Sequence, residues 1–376
     1  MNKIKALTGD GAAAFVMKQI NPDVVAVYPI TPSTQIMEDF SKYHADGFVD
    51  TEFIRTESEH SAMSACIGAS AAGVRAMTAT SSAGLAFMFE TLAVASGLRL
   101  PIVMNVVNRA LSAPLNIHCD HSDSMSVRDQ GWIQIYSENT QEVYINNLIA
   151  LRLAEKVRLP AMIMQDGFIT SHCVEGVQIL EDKQVKSFIG NLKPKNSLLF
   201  DNVTLGTLTL PDYYFEFKLQ QVKAMEEAKK EFLKIDQEVN KLIKHPTGLF
   251  EDYKIKDAKI VLVVMNSTAG AVKEVINEYR QKGKKIGLLK LRLFRPFPYE
   301  EIKKVLKGKK VIVMDRSINF GANAPLYSEI KNCCDNVHSI IYGLGGKNIY
   351  EEDIKDLIER ALKNKLKDIE YLGVRE

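Results

Sequence analysis

At 376 residues the chain exceeds one ordinary core and suits two domains, with room for a small third element. The apolar fraction of 46% and charged fraction of 25% are those of an average globular protein, and a formal charge of +2 excludes the basic field that a nucleic-acid backbone requires. No window supplies the roughly eighteen uninterrupted apolar residues of a membrane span, and Thr8-Gly-Asp-Gly stands where a secretory signal needs an apolar run, so a cytoplasmic protein with neither nucleic-acid nor membrane partners is expected.

The first half of the chain alternates short apolar runs with helix-length, Gly/Ala-rich stretches. The runs are Val24 to Tyr28, Glu52 to Arg55, Val74 to Thr78, Ile102 to Val106, Ile133 to Tyr136 and Ala161 to Met164. Runs this short, bounded by turn residues, predict buried parallel strands of a doubly wound α/β sheet. Residues 166 to 211 lose the rhythm and read as an extended connection.

Phe215, Leu219, Val222, Met225, Ala228, Phe232, Ile235, Val239 and Leu242 then step by three or four, which predicts one amphipathic helix of about thirty residues, roughly 45 Å long. It ends at His245-Pro246, and its Lys/Glu face reads as an inter-domain strut rather than a partner-binding helix. A second alternation follows, with strands at 260–265, 286–291, 311–314 and 339–342 and a last helix near 351–362, forming a smaller α/β domain. The expected division is 1–210, 211–246 and 247–376.

Five cysteines, Cys66, Cys119, Cys173, Cys333 and Cys334, are scattered, odd in number and without C-x2-C spacing, so they predict neither a disulfide framework nor an iron–sulfur cluster on this chain. Gly9-Asp10-Gly11 invites comparison with the Mg2+-diphosphate motif of thiamine enzymes, but no asparagine stands 25 to 30 residues on, and the triplet reads as the turn opening the first helix. Gly343-Leu-Gly-Gly346 lacks the spacing of a dinucleotide loop and the Walker lysine, and reads as a turn.

Three places can carry chemistry. In Tyr28-Pro-Ile-Thr-Pro, two prolines stiffen the end of the first strand and aim Thr31 off its carboxyl edge, unless Thr31 merely caps a helix. After the second strand, Ser58 opens a helix whose first turn holds Glu59. A small apolar neighbourhood there raises a carboxyl pKa and suits it to act on a heterocycle nitrogen, the bland alternative being capping electrostatics. Arg109 begins a polar loop of some twenty residues at a strand end, where a guanidinium can hold a carboxylate with two bonds. The loop's His118, Asp120, His121 and Asp123 read as loop-stabilising hydrogen-bonding groups, with no metal assigned.

Taken together, YPITPST at 28–34, TESEHSAMSACIGASAAG at 56–73, MTATSSAGLAFMFE at 77–90, GLRLPIVMNVVNRALSAPLNI at 97–117, DHSDSMSVRDQGWIQIYSEN at 120–139, DGFITSH at 166–172, LRLFRPFP at 291–298, DRSINFG at 315–321 and YGLGGKNI at 342–349 resemble the alpha subunit of multi-subunit pyruvate:ferredoxin oxidoreductase (pyruvate synthase) within the 2-oxoacid:ferredoxin oxidoreductase family. The resemblance implies an α/β fold of thiamine-diphosphate-binding type, a pyrimidine-binding doubly wound parallel sheet followed by a transketolase C-terminal-like domain. It implies thiamine diphosphate shared with a beta subunit that holds the Mg2+, iron–sulfur clusters on beta and delta subunits, a gamma subunit, ferredoxin as electron acceptor, and pyruvate with coenzyme A as substrates of a reversible oxidative decarboxylation to acetyl-CoA and CO2.

By the same resemblance Glu59 bonds the aminopyrimidine N1′, Arg109 and Thr31 bind the carboxylate and keto oxygen of the substrate, and Thr31, Ile30, Ser82 and Gly84 line the cofactor. The Arg-Ala-Leu-Ser-Ala-Pro form at 109–114 points to pyruvate over 2-oxoisovalerate or 2-oxoglutarate. A non-catalytic assembly subunit is the alternative of a different class.

Overall fold

The computed structural model describes residues 3–375. Seven strands form the first sheet, in the order Leu293–Arg295, Ile133–Tyr136, Ala161–Asp166, Val103–Asn108, Ala76–Thr80, Val24–Val27 and Glu52–Arg55. All neighbours are parallel except Leu293–Arg295, which runs antiparallel to Ile133–Tyr136. The strands Ala76–Thr80, Val103–Asn108, Ile133–Tyr136 and Ala161–Asp166 are buried throughout, which is why each reads as an unbroken apolar or small-residue run. The chain builds outward from Val24–Val27 to the Glu52–Arg55 edge and then returns to its other side with Ala76–Thr80. That reversal opens a crevice at the carboxyl ends of those strands.

The second sheet has six strands in the order Ile369–Tyr371, Val337–Ile341, Lys310–Asp315, Ile260–Met265, Ile286–Leu291 and Phe250–Tyr253, only the last antiparallel. One apolar cluster runs across both units, from Met104, Val106, Tyr136 and Met164 to Val261, Leu289 and Val311. The segment expected to be an extended connection is only partly that. It contains the strand Glu175–Ile179, paired with Lys3–Leu7, and the helix Asp182–Ile189. The half-exposed two-stranded sheet supplies too little apolar pattern to be read from sequence.

The predicted long helix spans Pro211–Leu242, but its apolar stripe is buried only from Ala224 onward, against the Thr140–Val157 helix. Phe215 and Val222 remain 73% and 52% exposed, so the strut reading describes the second half of this helix and not the first.

Buried charge locks the units together. Lys290, 1% exposed inside the Ile286–Leu291 strand, donates to Glu138 and Glu142 at 2.5 Å and lies 2.9 Å from Glu251. Arg292 reaches Asp236 on the long helix and Asn146 on the Thr140–Val157 helix. Burial alone would push the Glu142 carboxyl up, yet Lys290 and Arg292 hold it at about 2. A carboxyl depressed in the fold contributes stability that is present above the ordinary carboxylate range and lost as pH falls toward 2. Lys290→Ala leaves Glu142 without its ion-pair partner and is expected to destabilise the fold by about 3–5 kcal/mol in denaturant titration; a loss below about 1 kcal/mol contradicts this reading.

Candidate active site

Every residue singled out for chemistry follows the carboxyl end of a strand in the first sheet. Thr31 follows Val24–Val27, Glu59 follows Glu52–Arg55, Ser82 and Gly84 follow Ala76–Thr80, and Arg109 follows Val103–Asn108. Thr56 fastens two of these turns, its N–H and its hydroxyl both donating to the Val27 carbonyl at 3.0 Å.

Ser58 caps the Glu59–Ala71 helix by accepting from the Ser61 N–H at 3.2 Å. Glu59 is thereby fixed at the first helical position and turned inward, 6% exposed. Among the described residues its carboxylate has no hydrogen-bond partner beyond its own backbone, and burial raises its pKa. Beneath it lies the Gly84 backbone: a Cβ there meets Glu59 Oε1 at 2.6 Å and Thr80 Oγ1 at 2.5 Å. Thr80 Oγ1 is itself buried without a partner. A carboxylate without a side-chain partner and a buried, unpartnered hydroxyl both lie against the Gly84 backbone.

Arg109 is 8% exposed. Its Nη1 donates to the Thr31 carbonyl at 2.9 Å and its Nε to the Asn116 carbonyl at 3.1 Å, and Nη2 has no hydrogen-bond partner among the described residues. Thr31 is exposed and belongs to the turn before the Thr34–Ala45 helix, so it does not cap that helix. Ile30 is half-buried beside it. Ser82 is fully buried, with a left-handed φ of 45°, and its hydroxyl donates to the Ala110 carbonyl at 2.6 Å. It shapes the turn and does not face the space above Gly84.

The polar loop is held by its own acids. Asp120 accepts from Ser122 and from the Gly345 N–H, and His121 Nε2 lies 2.8 Å from Asp166 Oδ1. Cys119, His121 and Asp166 bring three possible ligand atoms within 4.8 Å, but Arg316 Nη1 sits 3.0 Å from Asp166 and is the cation of this cluster. The Gly-rich turn at 343–346 has a role that its sequence did not disclose: Gly345 accepts from Asn116 and the Gly346 N–H donates to the Cys119 carbonyl, so it is the seat on which the loop rests. All five cysteines are free, and Cys173 lies exposed.

Gly9-Asp10-Gly11 opens the Gly9–Ile20 helix, capped by Thr8. Asp10 is fully buried, and a Cβ on Gly9 meets Gln165 Oε1 at 2.2 Å and the Thr170 carbonyl at 2.5 Å, so this turn has no room for a diphosphate. The Glu59 carboxyl, raised in pKa and without a side-chain partner among the described residues, has the chemistry to meet a ring nitrogen, while the Gly9 turn has no room for a charged tail. Gly84→Ala forces atoms together beneath Glu59 and is expected to lower unfolding stability by about 1–3 kcal/mol in denaturant titration; an unchanged midpoint means that the carboxylate is free to move away.

Comparison with known proteins shows the family. Residues 15–237 match the family profile described as pyruvate flavodoxin/ferredoxin oxidoreductase, thiamine diP-bdg, and residues 258–354 match pyruvate:ferredoxin oxidoreductase core domain II. The chain is 51% identical to pyruvate synthase subunit PorA of Thermotoga maritima, over 99% of this chain and 98% of that one, and 45% identical to the PorA subunit of Methanothermobacter thermautotrophicus, over 99% of both. It is also 42% identical to ketoisovalerate oxidoreductase subunit VorA of Pyrococcus abyssi, over 96% of this chain and 93% of that one. Among solved structures, 2-oxoglutarate:ferredoxin oxidoreductase from Magnetococcus marinus superposes with a TM-score of 0.76 at 18% identity, over 97% of this chain and 66% of that one. A split-gene transketolase superposes at 0.58 with 11% identity, over 96% of this chain and all of that one. These two likenesses establish the fold, an α/β fold shared with thiamine enzymes. The chain belongs to the pyruvate flavodoxin/ferredoxin oxidoreductase family, joining its thiamine-binding domain to its core domain II.

Proposed function

We propose that the chain is the subunit of a pyruvate:ferredoxin oxidoreductase that presents the aminopyrimidine side of thiamine diphosphate and the substrate-carboxylate site, a partner subunit gripping the diphosphate and its Mg2+. The observation that carries this reading is the buried Glu59 carboxyl above Gly84, without a side-chain partner among the described residues, at the carboxyl edge of a sheet whose own Gly-Asp-Gly turn is closed.

The cofactor supplies the carbanion chemistry and the electron sink needed to cleave the bond between a carboxylate and a keto carbon. Glu59, its pKa raised by burial, keeps a proton available on Oε for a ring nitrogen and takes it back. Arg109 is oriented by two main-chain carbonyls and presents Nη2 to the substrate carboxylate, where a guanidinium forms a charge-assisted bond. The Thr31 hydroxyl stands at the exposed rim for the keto oxygen, with Ile30 as apolar wall.

The scattered free cysteines favour iron–sulfur clusters on other subunits, which pass electrons to ferredoxin while the acetyl unit goes to coenzyme A. Exposed Phe87, Phe89 and Val94, on the helices that run from Gly84, together with Phe200, Leu208 and Phe215, support burial of this face by partner chains of beta, gamma and delta type. Pyruvate is favoured by the identity to pyruvate synthase subunits across nearly the whole chain.

In the assembled enzyme Glu59→Gln is expected to lower turnover by about 10²-fold or more with subunit composition unchanged. Unaltered turnover assigns this chain to assembly alone. Assayed with pyruvate, 2-oxoisovalerate and 2-oxoglutarate, the complex is expected to show its highest kcat/KM for pyruvate; pyruvate ranking last refutes the substrate assignment.

A further inference from the structure

We infer that Asp123 is a positioning residue: its buried carboxylate sets the spacing between the turn beneath Glu59 and the turn that carries Arg109. The inference rests on the reading of the site given above, and adds a group that touches neither substrate nor cofactor.

Asp123 lies in the short helix Ser122–Ser126 and is fully buried. Its Oδ2 accepts two main-chain N–H bonds, from Ser82 at 3.0 Å and from Arg109 at 2.9 Å. Its Oδ1 accepts from Asn108 Nδ2 at 2.8 Å and from the Ser124 N–H at 2.7 Å. Two nitrogens sharing one acceptor at hydrogen-bond distance lie within about 6 Å of each other. Ser82 and Arg109 begin the turns that follow the adjacent parallel strands Ala76–Thr80 and Val103–Asn108. One oxygen atom therefore pins two neighbouring turns together at the point where they leave the sheet.

What lies beyond each pinned nitrogen gives the pin its meaning. Two residues past Ser82 comes Gly84, whose lack of a side chain leaves room for the Glu59 carboxylate. From Arg109 the guanidinium crosses to the Thr31 carbonyl. The pin thus fixes the group acting on the cofactor relative to the group holding the substrate. The Ser82 hydroxyl, bonded to the Ala110 carbonyl, reinforces the same joint, and together these bonds hold Ser82 at a φ of 45°, which a serine adopts only when its surroundings impose it.

Stability alone does not explain such a group. All four donors are neutral N–H groups, and burial raises the Asp123 carboxyl to about 6 despite them. A carboxyl raised in the fold contributes stability that is lost as pH climbs through that value, so its ionised form is a cost at neutral pH. The ionised form is nonetheless the one that offers two acceptor oxygens to four donors.

The test uses the assembled complex with Asp123→Asn. The amide has one oxygen, so in either orientation its NH2 faces two N–H donors: those of Ser82 and Arg109, which opens the joint, or those of Asn108 and Ser124, which pushes the remaining acceptor out of line with the two turns. KM for pyruvate is expected to rise about 10-fold or more and kcat to fall, with subunit composition and bound thiamine diphosphate unchanged. Asp236→Asn is the control for a buried carboxylate lost elsewhere, since Asp236 is equally buried but bonds His245, Arg292 and the Gly248 N–H beside the long helix. It is expected to lower the unfolding midpoint and leave KM within about 2-fold.

If Asp123→Asn does not assemble, Ser82→Ala loosens the same joint without disturbing the buried charge, and is expected to raise KM about 3-fold. Kinetic constants within about 2-fold of wild type for the variant that assembles, or an equal KM rise in Asp236→Asn, overturns the inference. Loss of turnover in Glu59→Gln together with an unchanged KM in Asp123→Asn removes only the positioning role, whereas intact turnover in Glu59→Gln removes the site itself.

Discussion

One buried carboxylate holds the molecule in its working shape. Asp166, the last residue of the Ala161–Asp166 strand, accepts from His121 Nε2 at 2.8 Å, Asn266 Nδ2 at 2.9 Å, Arg316 Nη1 at 3.0 Å and the Ser267 N–H at 3.2 Å, with the Ser267 hydroxyl and the Cys119 thiol also on it. Its donors come from the polar loop and from two turns of the second unit. Burial on its own would raise this carboxyl, but Arg316 and His121 outweigh it and hold the pKa far below the usual carboxylate range. The charge therefore stays on, and every one of these donors stays satisfied.

The position of the site follows from that constraint. A loop as long and polar as 109–128 has no secondary structure to fix it beyond one short helix, so its shape comes from what it is bonded to. Asp166 and the Arg316 carbonyl hold it from below, the Gly-rich turn at 343–346 supports it from the second unit, and Asp123 ties its start to the first sheet. The side chain with a free donor, Arg109 through Nη2, is thus presented by a hydrogen-bonded frame. Rigid surroundings with a few unengaged polar atoms are what a preorganised site requires. The second unit is then more than an appendage, because Leu293–Arg295 completes the first sheet and Lys290 and Arg292, on either side of Leu291, bond its helices.

Much of this was legible in the chain. Ile133–Tyr136, Ile260–Met265 and Ile286–Leu291 fall where their short apolar runs placed them, since burial on both faces leaves a pattern local enough to read. Glu59 was legible as well, because Ser58 marks the cap and the following residues are small. The electrostatic frame was not. Lys290 and Arg292 interrupt an apolar stretch and look like solvent-facing residues until Glu138, Glu142 and Asp236, between 56 and 152 positions away by the chain, are seen around them. Asp123 sat in a polar loop where four titratable residues looked alike, and only the fold shows that one of them receives N–H groups from two strands. The exposed first turns of the long helix were hidden for a related reason: an apolar stripe predicts that something covers it, not whether the cover belongs to the same chain.

The shared-cofactor arrangement is tested most directly by a structure of the assembled complex with thiamine diphosphate bound. N1′ of the aminopyrimidine is predicted to lie within hydrogen-bond distance of a Glu59 oxygen, with the diphosphate and its metal on a different polypeptide. A cofactor held wholly within one chain, or a pyrimidine remote from Glu59, contradicts it.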